Sequence, residues 1–336
     1  MSDDILDPGF SLTLRPMKYP NFYKLYETSV ENNWTKQEIS FSTDQQDLSS
    51  KLNAAEHHIV KRIVAFFATG DQIVSNNLVL SLYKHVNSPE ARVFYSRQLY
   101  EEANHIDFYL NLLDSYIPDY EERVQMFQAI ENIPSIKAKA DWALKWIDQM
   151  AGMDQIRTRE DRKTFLMNMI AFACGIEGLF FFAAFAYVYY LRDRNLLHGL
   201  ASGTNWVFRD ESMHMRFAFE VVDVIRQQNP DLFDADMESR VDEMLDEAVA
   251  CEMQFADDVL SLGVIGMGRD QMLEYLRFVA DGHRRRLGLT PKYDAKCPFD
   301  FMLKQDVQAL TSFFERTVAE YTVGIGGDVD LNVDDF

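Results

Sequence analysis

Two short segments place a carboxylate and an imidazole three residues apart: Glu102 and His105 in YEEANHIDFY, and Glu211 and His214 in FRDESMHMRF. Residues at i and i+3 of a helix share a face, so each pair can aim both groups at one point. Two further acids stand where apolar residues would be expected. Glu177 interrupts the most hydrophobic stretch of the chain, FLMNMIAFACGIEGLFFFAAFAYVYYL (165–191), and Asp71 sits inside the apolar pattern FFATGDQIVSNN. Burying four carboxylates and two imidazoles with nothing to balance them is costly. A pair of divalent first-row metal ions would balance them, with carboxylates bridging and capping the ions and each histidine giving a nitrogen to one ion. A single Glu-x-x-His is weak, because a solvated helix face carries the same spacing by chance. Two of them, alternating along the chain with an acid in each of two apolar helices, carry the assignment.

Other side chains share these faces. Tyr109 follows His105 by four and Glu102 by seven, which brings its phenol towards the ions without making it a ligand. Spacing leaves two readings open: a redox-active phenol, or a core tyrosine hydrogen-bonded to a carboxylate such as Asp71. Phe181 and Phe185 follow Glu177 by four and eight, and Val207 precedes Glu211 by four, so these three are expected to wall the phenol. Asp210 precedes His214 by four; it could hold a ligand histidine in one tautomer from outside, or be an ordinary surface acid. Glu101 is the register alternative to Glu102, but the matching spacing at 211 and 214 favours Glu102. Trp34, in a polar segment, reads first as the anchor of a strap. His57, His58, His85 and His198 are not expected to be ligands.

The elements that must position these groups are helices. Residues 1–46 contain Pro8, Pro16 and Pro20, show no sustained period, and are expected to form an arm over the body. From Leu48, with Ser49 or Ser50 as cap, a helix should run to about His85. Ser88-Pro89 is a start signal for a second helix that Ile117-Pro118 stops near Ser115. Shorter helical stretches are expected near 119–131 and 135–151, and the apolar helix over about 159–192. A break over Gly199–Gly203 should precede a helix from Thr204 to Gln228, followed by helices near 235–262, 269–287 and 303–320. No pair of alternating runs is joined by an Asn-Gly or Asp-Gly turn, so a large sheet is not expected. Four long helices with one acid on each of two and Glu-x-x-His on each of the others match the di-metal sites of ferritin-like bundles. The expected fold is therefore all-α, with an arm (1–46), one helical body (47–320) and a glycine- and aspartate-rich flexible tail (321–336).

Composition narrows the function. With 33 Lys+Arg against 53 Asp+Glu the net charge is −20, which argues against nucleic acid as partner, even though Arg284, Arg285 and Arg286 are consecutive. Cys174, Cys251 and Cys297 have no CxxC spacing and read as reduced thiols in a cytoplasmic protein. The start, MSDDILDPGF, lacks the basic and apolar parts of a signal peptide. The 165–191 stretch is long enough to cross a bilayer, but a lone span with a central Glu177 reads as the innermost helix of a bundle, so no membrane association is expected. No phosphate-binding loop and no nucleophile elbow is present.

In combination, these motifs resemble those of the radical-generating small (beta) subunit of class I ribonucleotide reductase. The resemblance runs from NNWTKQEI to EYTVG and is carried by NNW with Trp34, FFATGDQIVSNN with Asp71, YEEANHIDFY with Glu102, His105 and Tyr109, IEGLFFFAAF with Glu177, and FRDESMHMRF with Asp210, Glu211 and His214. It implies a dinuclear cluster held by Asp71, Glu102, His105, Glu177, Glu211 and His214, which activates oxygen or a reduced oxygen species and leaves a radical on Tyr109. It further implies an inner relay of Trp34 with Asp210, a relay residue Tyr321 near the tail, a homodimer, and docking of DVDLNVDDF on the large catalytic subunit that reduces ribonucleotides. KHVNSPEAR and EEANH resemble the subclass that has phenylalanine at the radical position, glutamate at the first ligand position and a Mn/Fe pair. Asp71 and Tyr109 match the more conventional pair, so a tyrosyl radical is expected, with Asp71 or a water at the cluster as proton acceptor. The ligand set admits Fe/Fe, which is favoured, and also Mn/Fe or Mn/Mn. With Mn/Mn the resemblance implies a flavoprotein activator. The competing readings are a ferritin-like oxidase acting on a small organic substrate and a non-enzymatic iron-storage protein.

Overall fold

The structure, a computed structural model, describes residues 4–150 and 152–305, without the side chains at 71–73, 79, 80, 148, 304 and 305. Among these residues there is no β-strand, and the all-α expectation holds. Helix starts are set by side chains that take the first free N–H groups. Helix α1 (Pro20–Glu31) opens on a proline, and α2 (Ser42–Ser50) follows a short turn. The first long helix, α3 (Ala54–Asn77), does not start at Ser49 or Ser50. Asn53 accepts the N–H of Glu56 at 3.0 Å while the Glu56 carboxylate accepts the N–H of Asn53 at 2.9 Å, a reciprocal cap that ends α2 and restarts the chain in a new direction. A π-helical continuation, Leu78–Tyr83, extends α3.

Helix α4 (Pro89–Tyr116) begins as expected, with Ser88 Oγ accepting the N–H of Ala91 at 3.1 Å and Pro89 in the first turn. Shorter helices follow: α5 (Tyr120–Phe127), α6 (Ala129–Asn132) and α7 (Pro134–Ile147). The apolar segment is one rod made of α8 (Arg159–Ile170), a π-helical stretch Ala171–Phe181, and α9 (Phe182–Asp193). Every residue from 165 to 191 is buried, with α7, α10, α11 and α12 packed against the π-helical stretch. Its length and hydropathy thus serve the centre of a bundle.

The glycines at 199 and 203 do not break the chain. Helix α10 (His198–Gln228) starts before them, because Asp44 of α2 accepts the N–H groups of Gly199 and Leu200 at 2.9 and 2.7 Å and Asp47 accepts that of Leu197 at 3.0 Å. Two buried acids from a neighbouring helix do the capping that no local residue supplies. The glycines allow close approach: a Cβ on Gly203 would stand 2.5 Å from the Phe108 ring of α4. The segment 1–46 also holds more structure than its lack of period suggested. The buried face of α1 is only Phe22, Leu25 and Ser29, too narrow to register as a repeat, yet it packs on α4 and α10. Helices α11 (Ala235–Val259) and α12 (Arg269–Arg286) complete the body. The expected helix near 303–320 begins as α13 (Asp300–Gln305), and its remainder lies outside the described residues.

The π-helical turn around Gly178 has a steric requirement. A Cβ there would lie 2.6 Å from the Ala173 carbonyl oxygen and 2.5 Å from Nε2 of His283 on α12. Gly178→Ala is expected to destabilise the protein by about 1–3 kcal/mol, the usual range for overpacking a filled core. Denaturant unfolding of the variant beside the parent checks this, and equal midpoints would show that the turn accommodates a side chain.

Candidate metal centre

Helix periodicity brings the predicted groups to one point in the dry interior. Glu102 and His105 stand one turn apart on α4, Glu211 and His214 one turn apart on α10, and Glu177 faces them from the π-helical stretch; all five are buried. One ligand atom each from Glu102, Glu177, Glu211 and His214 lie within 4.8 Å of one another. His214 turns Nδ1 to this cluster, 3.2 Å from Glu102 Oε1, 3.2 Å from Glu211 Oε2 and 3.6 Å from Glu177 Oε1. His105 does the same, with Nδ1 3.3 Å from Glu211 Oε1 and 3.6 Å from Glu102 Oε2. Asp71 belongs to α3, which packs on α4, but its side chain lies outside the described residues.

The donor set fits a cation centre. Both oxygens of Glu102, Oε2 of Glu177 and Oε1 of Glu211 are buried and accept no well-formed hydrogen bond. Buried carboxylate oxygens are normally satisfied, so lone pairs left open towards a common point are what a metal pair would fill. These groups would hold the metals through oxygen and imidazole nitrogen, the ligand chemistry of iron and manganese.

The same groups set one another's proton affinity. Burial opposes charge on both imidazoles, yet the facing carboxylates of Asp210, Glu102 and Glu211 hold His105 well above the ordinary histidine value. Glu101, Glu102, Glu177 and Glu211 do the same for His214. Burial pushes Glu177 up; for Glu211 it is outweighed by the two histidines beside it, which hold that carboxyl low.

Around the centre, Asp210 Oδ2 lies 3.2 Å from His105 Nε2 and accepts the indole N–H of Trp34 at 2.7 Å. Trp34 is buried, stacks with the His105 ring at 6.0 Å between centroids, and lies 5.3 Å from the ring of Trp206. Tyr109 is buried, with Phe67 lying flat on it at 4.8 Å and 6°. Phe181 and Phe185 pack against Phe67, at 6.1 and 6.0 Å, rather than being the ring stacked on the phenol. Tyr321 lies outside the described residues.

Several neighbours escaped the sequence reading. Phe67 stands four residues before Asp71, and Trp206 four before Asp210, so the same periodicity could have found both. Gln98, four before Glu102, donates its amide to Glu177 Oε1 at 2.9 Å. Glu101 sits outside the cluster and meets His214 Nε2 at 2.9 Å.

A helical bundle that converges carboxylates and two imidazoles on one buried point defines the class of di-metal carboxylate proteins. The sequence matches the family model described as ribonucleotide reductase, small chain, over residues 11–298. It is 37% identical over 306 residues to a ribonucleoside-diphosphate reductase small subunit of Arabidopsis thaliana, covering 91% of this chain and 86% of that one. It is 36% identical over 318 residues to the corresponding protein of Encephalitozoon cuniculi, covering 94% and 91%. The fold superposes on the ribonucleotide reductase R2 subunit of Clostridium botulinum with a TM-score of 0.78 at 19% identity, over 86% of this chain and 88% of that chain. The chain belongs to the ribonucleotide reductase small-chain family, as a class I small subunit. A large catalytic subunit is thereby implied as its partner.

Metal binding competes with protons at His105, His214 and Glu177, whose values are raised. It is therefore expected to release protons, and apparent affinity is expected to fall as pH is lowered, because the raised histidine values keep these ligands protonated. Chelator competition at several pH values with an indicator for released protons measures this. Affinity independent of pH would show that metal binding displaces no protons from these imidazoles.

Proposed function

We propose that this chain generates and stores a one-electron oxidant at Tyr109 and passes it through Trp34 to a large catalytic subunit that reduces ribonucleoside diphosphates. The observation that carries this reading is the continuous buried series from the carboxylate cluster through His105 and Asp210 to Trp34, with contacts of 3.2 and 2.7 Å. When bound, the dinuclear cluster supplies the oxidising power, drawn from oxygen or a reduced oxygen species; Fe/Fe is the favoured pair, and Mn/Fe or Mn/Mn use the same ligands. Asp71, Glu102, His105, Glu177, Glu211 and His214 hold it. Asp71, or a water at the cluster, would take the phenolic proton when Tyr109 is oxidised, since removing an electron from a neutral phenol without its proton is costly.

The remaining residues protect and deliver the oxidant. Phe67 covers one face of Tyr109 with a ring that carries no exchangeable proton, and Phe181 and Phe185 back that ring. Asp210 links His105 to the Trp34 indole by hydrogen bonds, so the two move as one unit. Tyr321 continues the relay, and 321–336 dock on the large subunit, with 47–320 as the body and 1–46 as the arm. The assembly is a homodimer in the cytoplasm, and with Mn/Mn a flavoprotein would supply the activating oxidant.

Tyr109→Phe is expected to bind metals normally and lose the tyrosyl EPR signal. An unchanged line shape in that variant would reject Tyr109 as the radical site. Tyr321→Phe is expected to keep the radical and lose nucleotide reduction with the large subunit, whereas normal turnover would remove Tyr321 from the relay.

A further inference from the structure

Each Glu-x-x-His segment is preceded by another acid: Glu101 before Glu102, and Asp210 before Glu211. One residue along an α-helix turns the side chain by about 100°, so neither acid can join its own glutamate at the centre. Each instead reaches the other helix. Asp210 of α10 meets Nε2 of His105 on α4 at 3.2 Å, and Glu101 of α4 meets Nε2 of His214 on α10 at 2.9 Å. We propose that Glu101 is the positioning residue of His214, the crossed counterpart of Asp210 for His105, and that Ser29 and Arg97 hold it in place.

The local geometry supports this. Oε1 of Glu101 accepts the Ser29 hydroxyl at 2.8 Å and Nε of Arg97 at 3.1 Å, leaving Oε2 for the imidazole. Arg97 is fixed in turn by the Ser29 hydroxyl at 2.8 Å, the Ser29 carbonyl at 3.1 Å and Asn33 Oδ1 at 3.0 Å, and it lies over the Tyr100 ring at 4.7 Å. Its positive charge compensates the buried carboxylate, so Glu101 adds an acceptor at the site without adding net charge. With Nε2–H donated to Glu101, the lone pair of His214 is on Nδ1, the atom that faces Glu102, Glu177 and Glu211. A carboxylate on the far nitrogen fixes the tautomer and ring orientation and raises the basicity of the ligand. The segment 29–34 thereby holds both outer carboxylates, Glu101 through Ser29 and Asp210 through Trp34. Docking of α1 on α4 and α10 becomes part of the ligand geometry.

This inference rests on the reading that the cluster binds two metal ions, and its test separates the two. The parent, Glu101→Gln, Glu101→Leu and Ser29→Ala, each as full chain, are loaded with manganese(II) without oxygen, and release to a chelator is followed with the metal EPR signal. Glu101→Leu is expected to release one of two equivalents about 10- to 100-fold faster than the parent and the other at the parental rate. Glu101→Gln, whose amide oxygen still accepts from Nε2, is expected to fall between them. Ser29→Ala, which removes a donor to Glu101 from the edge of α1, is expected to accelerate the same equivalent by a smaller factor. If Glu101→Leu fails to fold, the other two variants carry the comparison. Parental release kinetics and an unchanged metal spectrum in the folded variants would overturn the role of Glu101. A parent that binds fewer than two equivalents would overturn the metal-site reading and this inference with it.

Discussion

The architecture answers to the electrostatics of a dry interior. Glu102, Glu177, Glu211, His105 and His214 are removed from water in a helical core, where an unbalanced charge costs several kcal/mol even after relaxation. Cations or protons must therefore sit among them. The helices that carry these groups are long and buried, and one of them, α10, starts from caps supplied by another element. Asp44 and Asp47, themselves buried, start α10 from α2. Any slip of α10 along its axis would break these caps and move Glu211 and His214 together.

Asp210 is the place where the carboxylate cluster and the aromatic residues outside it share one group. The same carboxylate oxygen meets the His105 imidazole and the Trp34 indole, so one residue ties the buried imidazole to the first aromatic outside the cluster. Aromatic packing on the opposite side does a separate task. Phe67, Phe181 and Phe185 give Tyr109 surroundings that exclude water, while the polar series runs out through Trp34. One helix, α4, carries residues of both arrangements, with His105 and Tyr109 one turn apart on it.

Elsewhere in the body some of the buried charge is held in ion pairs. Lys139 of α7 meets Glu252 of α11 at 2.7 Å, with its ammonium over the faces of Phe66 and Phe255 at 3.7 and 3.8 Å. Arg284 of α12 is buried against Asp242 at 2.7 Å and Asp246 at 3.0 Å. The three consecutive arginines thus present no exposed cationic strip, since Arg286 is also paired, with Asp223 at 2.7 Å. These pairs join helices α7, α11 and α12, which pack around the π-helical stretch that carries Glu177.

Much of the site was legible locally. Glu-x-x-His at 102 and 211 fixes the relation of each carboxylate to its imidazole, because one helical turn is a local rule, and Ser88-Pro89 starts α4 by the same kind of rule. The acid at 177, inside the most apolar stretch, announced a charge that folding buries. The reading failed where a contact partner came from elsewhere in the chain. Gly199 and Gly203 looked like a break until α2 supplied the caps; α1 looked unstructured because its stabilising surface is mostly that of α4 and α10. The wide turn at 171–181 has no signature in hydrophobic period, and Phe67, whose ring lies flat on Tyr109, was not picked out. Residue types and their spacing within a helix were thus determined by the sequence itself. Which acid reaches which histidine was decided only by the separation and rotation of packed helices: Glu101 serves His214 and Asp210 serves His105 because α4 and α10 face each other, and no rule limited to one helical turn can specify that.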